Sequence, residues 1–101
     1  MNCRGAIFRY IVIDRCLSTY TEPMTKAEIR DKVNEKLRDI GLKEVSMNTI
    51  THDLIDIRER QFFDAPVKLL RDSTNTVRYC YSIPYYSIFS KNNIHLKHIQ
   101  L

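Results

Sequence analysis

The chain has 101 residues, of which 44% are hydrophobic and 28% charged, a profile typical of one folded domain rather than two. Only two glycines are present, Gly5 and Gly41, which excludes a glycine-rich phosphate-binding loop. The formal net charge of +4 permits a nucleic-acid partner without requiring one.

The cysteines indicate a reduced setting. Cys3, Cys16 and Cys80 are odd in number, lie far apart and form no C-x-x-C pair, so neither a disulfide framework nor a zinc site is indicated. The apolar run Ala6–Leu17 contains three charged residues, is too short to span a bilayer and lacks the order of a signal peptide. We therefore expect a cytoplasmic protein with no membrane partner.

The first segment, from Gly5 to Ser18, fits either a helix or a strand. An apolar stripe at helical spacing is formed by Ala6, Tyr10, Ile13 and Leu17, whereas the β-branched run Ile11–Ile13 also suits a strand. Its length and mixed charge favour a helix.

On that helix an opposite apolar face would carry Phe8, Ile11 and Val12. A helix that is apolar on both sides is usually covered on both sides. The partner could be the C-terminal part of the same chain, or the face could form a homodimer or interdomain interface. The C-terminal tail is a second candidate for a homodimer contact.

A second helix is predicted from about Lys26 to Ile40. Thr25 and Glu28 form a capping box, in which each side chain accepts a hydrogen bond from the other residue's backbone N–H. Gly41 follows at the position where a left-handed residue ends a helix. The inward stripe is Ile29, Val33, Leu37 and Ile40, and the charged residues between them form a solvated face.

A third helix is predicted from about Met47 to Arg60. Ser46 is a favourable N-cap. The inward positions step by three, four and three, at Met47, Ile50, Leu54 and Ile57. Asn48, Thr49 and His52 lie on other faces.

After the third helix, the spacing of the apolar residues changes from that of a helix to that of strands. Val67–Arg71 and Val77–Tyr81 flank the turn-rich residues 72–75, which predicts a β-hairpin. Three helices followed by a hairpin are typical of an α+β winged helix-turn-helix domain, here residues 5–89. Residues 90–101 would be a C-terminal tail or the start of a following domain.

The chain also resembles a known family. The segments RYIVIDRCLS, VSMNTITHDL, DAPVKLL and VRYCYS look like the N-terminal winged helix of WYL-domain transcriptional regulators, in the branch found in Bacteroides-type bacteria. The resemblance covers about Arg9 to Phe89. Its most specific pieces are S-x-x-T-[IV]-x-x-D-[IL], beginning at Ser46, and AP[IV], beginning at Ala65. Full-length members carry a further WYL domain thought to sense a ligand.

The resemblance implies sequence-specific binding to double-stranded DNA in transcription regulation. In this motif the third helix enters the major groove and the hairpin wing, about residues 67–82, contacts the backbone. Family members commonly carry basic residues where this chain has Asn48 and His52, so the third helix here brings less positive charge of its own. The competing hypothesis is a protein–protein interaction module on the same fold, without DNA contact.

The candidate DNA-binding residues belong to these two elements. Asn48 can pair with adenine, threonine methyl groups can contact thymine, and the N–H groups at the start of the helix can hold a phosphate. Basic wing residues can hold phosphates beside the groove. The full set is Ser46, Asn48, Thr49, Thr51, His52, Lys68, Arg71 and Arg78.

Other chemistry-bearing residues favour structural roles. Four tyrosines are expected to fill the core rather than to stack on bases, and three arginines to pair with acids of the second helix rather than to contact phosphates. They are Tyr79, Tyr81, Tyr85, Tyr86, Arg4, Arg9 and Arg15. His95 and His98 have metal-compatible spacing, but no third ligand is near them. We expect no catalytic set, no cofactor and no enzymatic activity.

Overall fold

A computed structural model describes residues 3–18 and 22–89, with side chains from residue 5 onward. The elements are α1 (Cys3–Ser18), β1 (Met24–Thr25), α2 (Lys26–Asp39), α3 (Met47–Arg58), β2 (Val67–Arg71) and β3 (Val77–Tyr81). The chain is therefore an α+β domain in which three helices precede a hairpin, as predicted, and this layout is compatible with a winged helix-turn-helix. The predicted tail and its two histidines lie outside the described residues.

The ends of α2 follow the local signals in the sequence. The Glu28 N–H donates to Thr25 Oγ1 at 3.1 Å, and the Thr25 N–H donates to Glu28 Oε1 at 2.9 Å, which completes the capping box. At the other end, Gly41 has φ +76° and the Leu42 N–H donates to the Leu37 carbonyl at 2.8 Å. This is the left-handed helix end that glycine favours.

The ends of the other helices were predicted less well. α1 confirms the helix favoured for the first segment. α3 begins after Ser46 as predicted but ends at Arg58, two residues before the predicted end at Arg60. Glu59 has ψ 140°, so the backbone leaves the helical region there.

The sheet contains one strand more than the predicted hairpin. β1 pairs antiparallel with β3, and β3 pairs antiparallel with β2, which gives the order β1-β3-β2. β1 is only two residues long, directly before the capping box of α2. A strand of two residues is too short to show the alternation of apolar and polar residues by which strands are predicted. It is recognised only by its pairing with β3.

The hydrophobic core lies between the three helices and the sheet. Ile13, Leu17, Ile29, Val33, Ile50, Ile57 and Tyr81 have no exposed surface. Val12, on the opposite apolar face of α1, is also buried, at 6% exposure, so part of that face is covered within the domain. Phe8 and Ile11 stay partly exposed.

Two further predictions of buried side chains were wrong. Ile40, at the C-cap of α2, is 51% exposed because the chain turns away from the stripe at Gly41. Tyr85 is 91% exposed, with φ +64°. Tyr79 and Tyr86 pack against the core as predicted, and Tyr81 is fully buried.

The segment after β3 is fixed to α1 by a buried acid. Asp14, which is 5% exposed, accepts hydrogen bonds from the Tyr81 hydroxyl at 2.6 Å, the Ser87 hydroxyl at 2.6 Å and the Ile88 N–H at 2.9 Å. Three donors compensate the loss of water around a buried carboxylate. The Asp14 contacts therefore fix residues 87 and 88 against α1.

Candidate nucleic-acid interface

The start of α3 is held by a side chain of α2. The Asn34 amide donates to the Val45 carbonyl at 3.1 Å and accepts from the Val45 N–H at 2.8 Å. Asn34 is 7% exposed, and its two hydrogen bonds to the Val45 backbone are of the kind that a neighbouring β-strand would form. The next residue, Ser46, then caps the helix, because its Oγ accepts from the Thr49 N–H at 3.4 Å. These contacts orient the helix end that the sequence predicted as a DNA-contacting tip.

The acids of α3 face α1. Asp53, whose side chain is 4% exposed, accepts from Arg9 Nε at 2.6 Å and Nη2 at 3.1 Å. Burial raises the pKa of Asp53, and the bidentate contact with Arg9 opposes that shift. Asp56 accepts from the Tyr10 hydroxyl at 2.8 Å. Arg9 was predicted to pair with the second helix, but its partner lies on the third.

The Tyr10 contact also changes the chemistry of its phenol. Burial, followed by the hydrogen bond to Asp56, raises the pKa of Tyr10 to about 12. The hydroxyl therefore stays protonated at neutral pH and remains a donor to the carboxylate. Asp56 therefore lies on the α1 side of the helix, whereas Glu59, the C-cap of α3, is exposed.

The remaining exposed side of α3 carries no acid. We call it the α3 face, and it consists of Asn48, Thr51, His52, Ile55 and Arg58. Its members recur at spacings of three and four, which places them on one side of a helix. Thr51 donates its hydroxyl to the Met47 carbonyl at 3.1 Å, which leaves its methyl group and an oxygen lone pair for a partner.

A small groove of about 180 Å³ separates α3 from the sheet. Lys26 at the start of α2 contributes to it, and the Lys26 Nζ lies 6.0 Å from the centroid of the Tyr79 ring. The groove is lined by Lys26, Thr51, Leu54, Ile55, Arg58, Val67, Leu69 and Tyr79. The groove thus places the Lys26 cation beside Arg58 of the α3 face, although neither residue was among the predicted site residues.

The three predicted cations of the hairpin do not share one face of the sheet. Side chains alternate along a strand, and directly paired residues lie on the same face. Leu69, which lines the groove beside α3, therefore shares its face with Arg71, whereas Lys68 lies on the opposite face. Arg78, which pairs with Leu70, also lies on that opposite face.

Arg78 is engaged in contacts within the domain. Its Nε donates to Asp72 at 2.8 Å, and its Nη1 donates to Glu28 at 3.1 Å and to the Pro23 carbonyl at 3.2 Å. The Thr25 N–H, followed by the charge of Arg78, lowers the pKa of Glu28. Arg78 therefore joins the hairpin to the start of α2, and two carboxylates neutralise its charge.

The hairpin turn is organised by Asp72. Its Oδ1 accepts from the Thr74 N–H at 2.9 Å, the Thr74 hydroxyl at 2.6 Å and the Thr76 N–H at 3.0 Å. Asn75 has φ +65°, a left-handed conformation that asparagine tolerates, and Arg71 Nη1 donates to its carbonyl at 3.3 Å. Arg71 therefore lies beside the tip of the wing with an exposed guanidinium.

The structure thus brings together part of the predicted site. Asn48, Thr51 and His52 share the α3 face, while Ser46 and Thr49 are tied to the helix cap. Among the described residues, no group of three or more potential metal-ligating side chains lies close enough to hold a metal ion. No helix in the described part of the chain is long and apolar enough to cross a membrane. No protein-family model, no curated protein and no solved structure matches the chain.

Proposed function

We propose that the chain binds double-stranded DNA as the DNA-binding domain of a bacterial transcriptional regulator. The α3 face enters the major groove, with Asn48, Thr51 and His52 towards the base edges. Arg58, Lys26 and Arg71 contact phosphates on the side of the sheet. Lys68 and Arg78, which the sequence placed in the same role, are left out of this interface.

One observation carries the proposal: both acids of α3 are used inside the domain. Because Asp53 binds Arg9 and Asp56 accepts from Tyr10, the exposed side of Met47–Arg58 combines hydrogen-bonding side chains with a cation and no carboxylate. The next acid, Glu59, follows the helix at its C-cap. DNA affinity depends on cations placed beside the phosphates and on the absence of nearby repulsion. The resemblance to WYL-domain regulators supports the same function.

Exposed apolar side chains in the groove between α3 and the sheet favour a second function, the binding of a protein partner. Ile55 is 37% exposed and Leu69 is 50% exposed, and both line the groove between α3 and the sheet. Apolar side chains of this size suit a protein surface, since DNA offers few apolar groups besides the thymine methyl. The two functions make opposite predictions for DNA binding.

The experiment is a DNA titration at several salt concentrations. Duplexes from the region upstream of the protein's own gene are labelled, and binding is followed by fluorescence anisotropy. We expect affinity to fall as salt rises, and Arg58→Ala to weaken binding several-fold and reduce the magnitude of the log–log salt slope by about 0.9.

Lys68→Ala is the matched control, because it removes the same charge from the opposite face of the sheet. Its salt slope should equal that of the unmodified protein. Equal losses in the two variants would show that binding follows net charge rather than this interface. Absence of binding at low salt by folded protein would refute the DNA proposal and favour the protein partner.

A further inference from the structure

A second groove, between α1 and α2, has an apolar floor. Val12 and Cys16 are each 6% exposed there, and the other apolar lining residues are Phe8, Ile11 and Met24. Its volume is about 420 Å³, within the range of cavities that hold small organic ligands. Leu54 and the α3 face do not contribute to this groove, so it is a separate site.

The remaining lining side chains are all cationic. They are Arg15, Lys32 and Lys36, and no acid is found among the described residues that line the groove. Lys32 Nζ lies 3.9 Å from Glu35 in an exposed pair, and such pairs contribute little free energy. Three cations around an apolar floor complement a ligand with one anionic group and a hydrocarbon body.

The length of the groove limits the hydrocarbon body. Phe8 and Cys16 are eight residues apart on α1, which corresponds to about 12 Å along a helix axis. An extended decyl chain has this length. The Cys16 side chain is suited to contact such a chain, since burial raises the pKa of its thiol to about 11 and keeps it uncharged.

We propose that the groove between α1 and α2 binds a free medium-chain carboxylate. The chain lies over Val12 and Cys16, and the carboxylate lies among Arg15, Lys32 and Lys36. The proposal goes beyond DNA binding and does not depend on it, because it concerns different residues and its test contains no DNA.

The test is a titration of the ¹⁵N-labelled full chain with decanoate below its micelle concentration, followed by amide chemical shifts. We expect saturable shifts in residues 8–16 and 32–36. Octanoate should bind about fourfold more weakly for each methylene that the groove fully buries. Decyltrimethylammonium, which has the same chain and the opposite charge, should bind more weakly by on the order of tenfold.

Charge-reversal variants test the anionic end. Lys36→Glu should weaken decanoate binding by on the order of tenfold. Lys43→Glu makes the same change at an exposed lysine outside the groove and should leave the affinity unchanged. A variant that retains the dispersed amide spectrum is folded, so a change in affinity then reports on the groove.

Four results would overturn the proposal. Two of them are the absence of saturable shifts at the groove with decanoate and equally strong binding of the cationic amphiphile. Groove signals that change with protein concentration alone would show a second copy of the chain in the groove. Nuclear Overhauser contacts between the groove and residues 90–101 would show that the chain's own tail fills it.

Discussion

Replacing Arg9 by methionine tests how α3 is fixed to α1. Arg9 gives two donors to Asp53, at 2.6 and 3.1 Å, and the side chain of Asp53 is only 4% exposed. Removing one partner of a buried ion pair costs about 3–5 kcal/mol, because the other charge stays buried without compensation. The side chain of Arg9 is 17% exposed, so water can partly replace it, and we expect a loss of about 2–3 kcal/mol.

The loss should also depend on pH. Burial raises the pKa of Asp53, and removal of Arg9 takes away the contact that opposes this rise. A carboxyl whose pKa is raised in the folded state destabilises that state while it is ionised, and this penalty disappears as pH falls through the raised pKa. The Arg9→Met variant should therefore be most destabilised at neutral pH and recover part of the difference in acid.

Urea unfolding followed by circular dichroism measures these free energies. A cycle of Arg9→Met, Asp53→Leu and the double variant isolates the pair, and the double variant should be more stable than the sum of the single losses predicts. Arg15→Met is the control, since Arg15 is exposed on the same helix and should change stability by less than about 0.5 kcal/mol. The reasoning is refuted if Arg9→Met costs no more than this control, or if the cycle is additive.

Three smaller predictions concern other contacts. Asn34→Ala should cost about 2 kcal/mol in urea unfolding, because Val45 loses both hydrogen bonds of its backbone; a loss under about 0.5 kcal/mol would contradict this. Hydrogen bonds, first from the Thr74 hydroxyl and then from Arg78, hold the pKa of Asp72 well below its usual value, so its contribution to stability is present above pH about 4 and lost below it. Asp72→Asn should accordingly reduce the loss of unfolding free energy as the solution is acidified, and an unchanged loss would exclude this role. Cys16, whose pKa is raised to about 11 by burial, should be alkylated far more slowly at pH 8 in folded than in urea-unfolded protein, as measured by peptide mass spectrometry; equal rates would show that the thiol is accessible.

Much of the fold could be predicted because its signals are local. The capping box at Thr25, the glycine at position 41 and the cap at Ser46 each depend on residues within five positions of one another. The hairpin strands were predicted with their observed ends, since the turn between them is built by Asp72 from its own neighbours.

The contacts that were missed join residues far apart in the chain. Arg9 and Asp53 are 44 positions apart, and Arg78 reaches Glu28 across 50 positions. The hydrophobic periodicity of a segment does not indicate which distant residue its polar side chains contact. The same limit explains why the support that the Asn34 amide gives to the start of α3 was not predicted.

One feature of the site was available from the sequence. Lys68 and Arg71 are three positions apart on one strand, and an odd separation places two side chains on opposite faces. Lys68 and Arg71 could therefore have been assigned to opposite faces from the sequence alone, whereas the face of Arg78 depends on the strand register. Arg58 could also have been found, because it lies seven positions after Thr51 on the same helix.

The motif that carries the family resemblance has structural roles in this domain. Ser46 and Thr49 make the cap of α3, and Asp53 binds Arg9. Ala65, at the start of the AP[IV] pattern, is 5% exposed. These positions therefore support the fold directly, while the DNA proposal depends on the exposed residues between them.

The most direct test of the central claim is an NMR titration of the ¹⁵N-labelled chain with upstream duplex DNA at low salt. DNA binding through the α3 face predicts the largest amide shifts at Asn48, His52, Ile55 and Arg58, with smaller ones at Arg71. The signals around Lys68 should move little. Shifts centred on Lys68 or α1, or no shifts with the folded protein, would contradict the proposed interface.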